Sequence, residues 1–189
     1  MFNPQPIILQ RGALRLVPMQ EADIAALVNL AEANRHALMY MRGSQRLDWY
    51  REGLQWQRDG KALCFVIRLG EQLVGTTRLG DFMPALSAVE IGWTWLDQHQ
   101  HGTGLNTSVK YLMLKHALEH LGVVRVQLKT AASNLRAQRA IEKLGALREG
   151  VLRNHRRLAD GRLDDSVLYS ITDHDWPAIK QQLEARFSG

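Results

Sequence analysis

A strand, a glycine-containing polar loop, an amphipathic helix and a second strand follow one another without a break between residues 88 and 128. This order constrains the fold more than any other feature of the chain. AVEIGWTWL (88–96) alternates as a strand, which predicts Ile91, Trp93 and Trp95 on one face and Glu90, Gly92, Thr94 and Leu96 on the other. DQHQHGTGLN (97–106) is the loop. In TSVKYLMLKHALEHLG (107–122), Val109, Leu112, Met113, Ala117 and Leu121 form an apolar helical stripe, with Asn106 or Thr107 as the cap and Gly122 as the stop. VVRVQL (123–128) is the second strand. Strand–helix–strand crossovers are right-handed in almost all sheets, so this strand is expected to run parallel to the first and close a βαβ unit.

The flanking segments extend the sheet. Leu14, Leu16 and Val17 mark a strand ended by Pro18, before a helix carrying Ile24, Leu27, Val28 and Ala31. After the turn Arg42-Gly43-Ser44, Leu47, Tyr50 and Leu54 share a second helical face, which Asp59-Gly60 terminates. Residues 62–69 and 73–79 form a hairpin around Gly70-Glu71-Gln72, and Asn134 caps a helix stopped by Gly145. Residues 148–158 and 162–171 pair around Ala159-Asp160-Gly161, and a last helix starts near Trp176. No linker or repeat interrupts this pattern, which predicts one mixed α/β (α+β) domain over residues 1–189.

Composition narrows the function classes. With 46% hydrophobic residues, the chain has the means to bury a core, which excludes a disordered or collagen-like class. Lys and Arg number 24 against 19 Asp and Glu, a net charge of +5, and eight of the bases with three of the acids lie in 131–163. That stretch carries the whole excess. The single cysteine, Cys64, excludes an internal disulfide and a cysteine-rich zinc site and points to an intracellular, cytoplasmic protein. Charged or amide residues interrupt every apolar run before the roughly 20 residues of a membrane helix, and the first twelve residues lack the pattern of an export signal. A soluble protein with no membrane partner is expected.

The loop His101-Gly102-Thr103-Gly104-Leu105-Asn106 is where chemistry is expected. Two glycines let consecutive N–H groups face outward, and the helix start adds its positive dipole end, a combination suited to phosphate. It is neither a dinucleotide fingerprint, which needs a third glycine three residues after Gly104, nor a P-loop, which needs Gly-Lys-Ser/Thr. By itself the loop reads as a plain entry into the helix.

Taken in order, VEIGWTWL, HGTGLNT, VKYLMLKHALEHLG, VRVQLKTAASN and NLRAQRAIEKLGALREG resemble the Gcn5-related N-acetyltransferase (GNAT) superfamily. The likeness is greatest to its RimJ/RimL-type branch, whose enzymes act on protein N-termini. It extends from LVPMQEADI to LDDSVLYSITDHDWP and is densest from Val89 to Gly150. The resemblance implies the GNAT fold, a central mixed twisted sheet of about six to seven strands with flanking helices. It also implies acetyl-coenzyme A as cosubstrate, an amine acceptor and a homodimer, with no metal.

The family's Gln/Arg-x-x-Gly-x-Gly/Ala loop has His99 in first position here and keeps Gly102 and Gly104. By resemblance, main-chain groups of Thr94, Trp95 and Leu96 pair with the pantetheine arm. Amides of His101, Gly102, Thr103, Gly104, Leu105, Asn106 and Thr107 hold the pyrophosphate, and Asn134 contacts the pantetheine. Glu90 matches the general-base glutamate of part of the superfamily; its other reading is a glutamate tied to a neighbouring arginine. Ile141 stands where relatives place a tyrosine acid, and Ala137 where the RimL branch often has serine. Proton delivery to the leaving thiolate then falls to water, Ser166 or Tyr169, the last two also reading as structural.

Cys64 lies in an apolar strand and reads as buried and inert rather than as an acyl carrier. His116 and His120, spaced i, i+4 without the Glu of a HExxH site, read as solvated helix histidines rather than metal ligands. Trp49, Trp56, Trp93 and Trp95 fill the core or line an acceptor cleft. Two further function classes stay open. One is an RNA- or ribosome-binding module using Arg136, Arg139, Lys143, Arg148, Arg153, Arg156, Arg157 and Arg162. The other is a coenzyme A binder without turnover. The acceptor is open between a protein N-terminus, a polyamine, an amino acid and a drug amine, and the acyl group between acetyl and a larger one.

Overall fold

In the computed structural model, residues 4–41, 43–158 and 160–188 are described. Eight strands form one sheet in the order β1-β2-β3-β4-β5-β6-β8-β7. They are β1 (Leu9–Arg11), β2 (Leu14–Pro18), β3 (Leu63–Leu69), β4 (Gln72–Met83), β5 (Ala88–Leu96), β6 (Arg125–Ala131), β7 (Leu147–Arg157) and β8 (Leu163–Thr172). The helices are α1 (Ile24–Ala33), α2 (Leu47–Arg58), α3 (Leu105–Lys115), α4 (Leu135–Lys143) and α5 (Trp176–Ser188). The expected parallel crossover is present, β5 running parallel to β6 and every other pairing antiparallel. The strand not foreseen is β1, three residues on the sheet edge with no apolar alternation to announce it. Arg42 and Ala159, read as turn residues, and the first three residues of the chain lie outside the described residues.

Strand alternation feeds two cores because both sheet faces are covered. Phe65, Leu79, Val89 and Ile91 join Val109, Met113 and Leu114 of α3 and Trp176 and Leu183 of α5. Cys64, Val66 and Trp95 join Ile24, Leu27 and Ala31 of α1 and Tyr50 and Leu54 of α2. Helix α3 starts at Leu105, earlier than a cap at Asn106 or Thr107 would place it, because Gly104 at φ +85° turns the chain directly into the helix. It ends in a π-helical turn, His116–His120.

One expectation for β5 fails at Trp93, which takes φ +50° where the β4–β5 register shifts. This bulge puts Trp95 with α1 and α2, while Ile91 and Leu96 belong to the α3 side. The faces predicted from strict alternation are therefore exchanged beyond Gly92.

Candidate active site

The bulge coincides with a parting of the sheet. β5 and β6 pair only over Ala88–Glu90 and Arg125–Gln127. Beyond that, β5 continues on β4, and β6 on β8. The main chain of Thr94, Trp95 and Leu96 is thereby left with a free edge inside the protein, bordering a cleft of about 370 Å³. The glycine loop and α4 form its other walls, through His101, Gly102, Gly104, Asn106, Thr107, Asn134 and Arg136.

The loop's amides divide into two groups. Those of His101 and Leu105, both expected to bind phosphate, are already used, by Gln98 O at 3.0 Å and by Thr103 Oγ1 at 3.3 Å. Among the described residues, the amides of Gly102, Thr103, Gly104, Asn106 and Thr107 have no intramolecular acceptor. Thr103 and Leu105 do not border the cleft but a separate cavity beside β1, and Leu105 is buried in the core. His99 leans away on Asp97 Oδ1 at 2.8 Å and does not border the cleft either. Arg136 Nη1 stands 3.1 Å from His101 Nδ1, tying α4 to the loop, and burial together with this cation keeps the His101 imidazole below its ordinary pKa. Asn134 Oδ1 accepts from Ala137 N at 3.1 Å as the helix cap; Nδ2 keeps no partner among the described residues.

A second cavity of about 390 Å³ adjoins the cleft, with Tyr40, Thr94, Asn106 and Asn134 common to both. Glu90 projects into it and is only 5% exposed. Its Oε2 accepts from Lys129 Nζ at 2.8 Å and from Gln127 Nε2 at 3.0 Å, so the partner is a lysine of β6 and not an arginine. Oε1 lies over Gly92 and keeps no partner among the described residues. Lys110, buried on α3, donates from Nζ to Thr94 Oγ1 at 2.6 Å. Ala137 and Ile141 border the same space without offering a proton.

Of the other candidates, Ser166 also faces this cavity, with Oγ 3.0 Å from His155 Nδ1. Tyr169 donates to Glu142 Oε1 at 3.0 Å, away from both cavities. Burial pushes the Cys64 thiol up to about 11, and it donates to Gly53 O, in line with an inert role. His116 is not solvated as expected: the π turn buries it, and neither ring nitrogen has a partner. Among the described residues no group of three or more His, Cys, Asp or Glu is placed to hold a metal. Trp93 borders the second cavity and Trp95 the cleft, while Trp49 and Trp56 flank the buried guanidinium of Arg78.

Sequence reasoning missed Lys110, Gln127 and Lys129. The signals were present. Gln127 and Lys129 alternate with apolar Val126 and Leu128, and Lys110 stands one turn after Asn106 within an otherwise apolar run.

An interrupted parallel pair, with a ring of free amides at the head of the crossover helix, defines an acyltransferase of the GNAT type. A profile of the acetyltransferase (GNAT) domain matches residues 13–147, and the chain belongs to this family of N-acetyltransferases. It is 25% identical over 174 residues to "Putative ribosomal N-acetyltransferase YdaF" of Bacillus subtilis (strain 168), across 88% of this chain and 94% of that protein. The crystal structure of a "putative acetyltransferase from T. thermophilus" superposes with a TM-score of 0.82 at 34% identity, covering 97% of this chain and 98% of that one. Mycobacterium smegmatis RimJ in complex with CoA-disulfide shares the fold, with a TM-score of 0.82 at 23% identity over 98% of this chain and 95% of that one.

Proposed function

We propose that the protein transfers an acetyl group from acetyl-coenzyme A to a primary amine by direct attack in a ternary complex. The observation that carries this reading is the continuous opening from the free amides of Gly102, Gly104, Asn106 and Thr107, along the free edge of β5, to the Glu90 carboxylate. Oriented amides at a helix start are suited to a pyrophosphate. The Thr94–Leu96 edge offers main-chain pairing to an amide-bearing arm, and Asn134 Nδ2 a donor to one of its carbonyls. Glu90 is the base. Oε2 is held by Lys129 and Gln127, which leaves Oε1 to take the proton of the attacking amine.

The ribosomal N-acetyltransferase named above supports a protein N-terminus as acceptor. Exposed Leu147, Val151 and Leu152 on edge strand β7 support the homodimer that the branch implies. No helix among the described residues is long and apolar enough to cross a membrane, in keeping with a cytoplasmic acceptor.

Calorimetric titration with acetyl-coenzyme A at two salt concentrations, followed by mass spectrometry of N-terminal peptides incubated with protein and donor, tests the proposal. Saturable binding and an acetylated amine are expected. Binding without transfer to any amine favours a coenzyme-binding protein without turnover, and salt-dependent RNA binding without donor binding favours the basic stretch as the functional surface.

A further inference from the structure

Lys110 is set where a lysine is costly. It follows Val109 on α3, precedes the buried run Tyr111–Leu114, and is itself only 6% exposed. Its Nζ has no carboxylate within 4.0 Å among the described residues; its partner is the Thr94 hydroxyl at 2.6 Å, which in turn lies 2.7 Å from Thr77 Oγ1. Thr94, Asn106 and Asn134 border both cavities, so this ammonium stands where the donor cleft meets the acceptor cavity. An arm leading along β5 from the glycine loop towards Glu90 passes Thr94, and hence Lys110, before it reaches the acceptor. Ala137 and Ile141 on the opposite wall have no proton to give.

Resting on the acetyltransferase reading, we propose that Lys110 is the proton donor to the sulfur that leaves acetyl-coenzyme A. The lone pair of the acceptor nitrogen forms the new C–N bond, and the electron pair of the breaking C–S bond stays on sulfur. Glu90 takes the proton from nitrogen, and Lys110 gives one to sulfur. The products are an amide and a thiol, with Lys110 neutral and Glu90 protonated. Return of the proton from Glu90 to Lys110 through the shared cavity restores both, and no further reactant is required.

The electrostatics agree with that role. Burial brings the Lys110 ammonium down to about 7, with the Glu90 charge opposing the shift. A thiol ordinarily titrates near 8.5, so transfer from Lys110 to sulfur runs downhill. The other charged or titratable groups facing this cavity are Tyr40, between α1 and α2, Asp81 of β4, Lys129 of β6, and His155 and Arg156 of β7. Lys110 holds its proton below about neutral pH and loses it above, so kcat is expected to fall on the alkaline side.

The test compares the full chain with Lys110→Met, which keeps length and apolar bulk. Two quantities are read: coenzyme A affinity by calorimetry, and kcat against pH. Similar affinity is expected. The variant is expected to lose about 100-fold in kcat together with the alkaline decline. An unchanged kcat profile in the variant overturns the proposal. A variant that fails to fold leaves the wild type decisive: a wild-type kcat that does not decline as pH rises above neutral overturns the assignment equally. A wild type that does not bind coenzyme A overturns the acetyltransferase reading itself, whereas binding and turnover indifferent to Lys110 overturn only its role.

Discussion

The donor cleft and the acceptor cavity share Thr94, Asn106 and Asn134 but are built from different materials. The cleft offers main chain: four loop and helix amides and the unpaired edge of β5. The cavity offers side chains drawn from separate elements, Glu90 from β5, Lys110 from α3, Lys129 from β6 and Arg156 from β7. A main-chain site depends on backbone conformation and tolerates a departure such as His99 in place of Gln or Arg. A side-chain site depends on each group and on the burial around it.

Two substitutions set these materials against each other. Glu90→Gln preserves shape and the acceptor for Lys129, so kcat is expected to fall by about 10²–10⁴ while acetyl-coenzyme A affinity holds. Gly104→Asp does the reverse. A Cβ there meets open space but is strained at φ +85°, and the new carboxylate competes for the amides of Asn106 and Thr107 and repels phosphate. Loss of one or two charge-assisted hydrogen bonds raises the dissociation constant by about 10- to 100-fold, with kcat at saturation kept. Rate measurements and calorimetry on both variants decide the matter, and either variant moving both quantities breaks the division between the two regions.

A smaller effect is expected beneath the acceptor cavity. Arg78 is 1% exposed, donates to Trp49 O at 2.7 Å, and has its Cζ 4.1 Å from the Trp49 ring and 5.9 Å from that of Trp93. The Cβ of Gly53→Ala would meet Arg78 Cζ at 2.6 Å. Overpacking of this kind costs about 1–3 kcal/mol, read as a lower urea midpoint. Because Trp93 borders the acceptor cavity alone, KM for the amine is expected to rise with donor affinity unchanged.

The same contrast explains what could be read from the residues. The strand–loop–helix–strand order, Gly102, Gly104 and the Asn134 cap are local signals, and each stands where the pattern put it. The Trp93 bulge was hidden because alternation carries no mark for one extra residue, and it exchanged the faces of β5 beyond Gly92. The consumed amides of His101 and Leu105 depend on Gln98 O and Thr103 Oγ1, which spacing does not reveal. Glu90 was visible as a polar residue in a strand. Lys129 was visible in the same way, but its pairing with Glu90 was not, since the β5–β6 register that brings them together is not local.

The smallest effect concerns neither cavity and tests how closely α3 is held. Its π-helical turn is closed by Leu121 N donating to His116 O at 3.0 Å, and this geometry carries the His116 ring inward, 5.7 Å from that of His120. Burial, and secondarily His120, lowers the pKa of His116 below its ordinary value. The unfolded chain, titrating near 6.5, therefore binds a proton before the folded one does. Stability is full above that pH and declines as pH falls below it. His116→Leu removes the titrating group, so its urea midpoint is expected to stay flat between about pH 7 and 5 where the wild type falls. Parallel curves for the two proteins would mean that the π turn opens to admit the charged ring, and that the helix carrying both the amide ring and Lys110 yields at its far end.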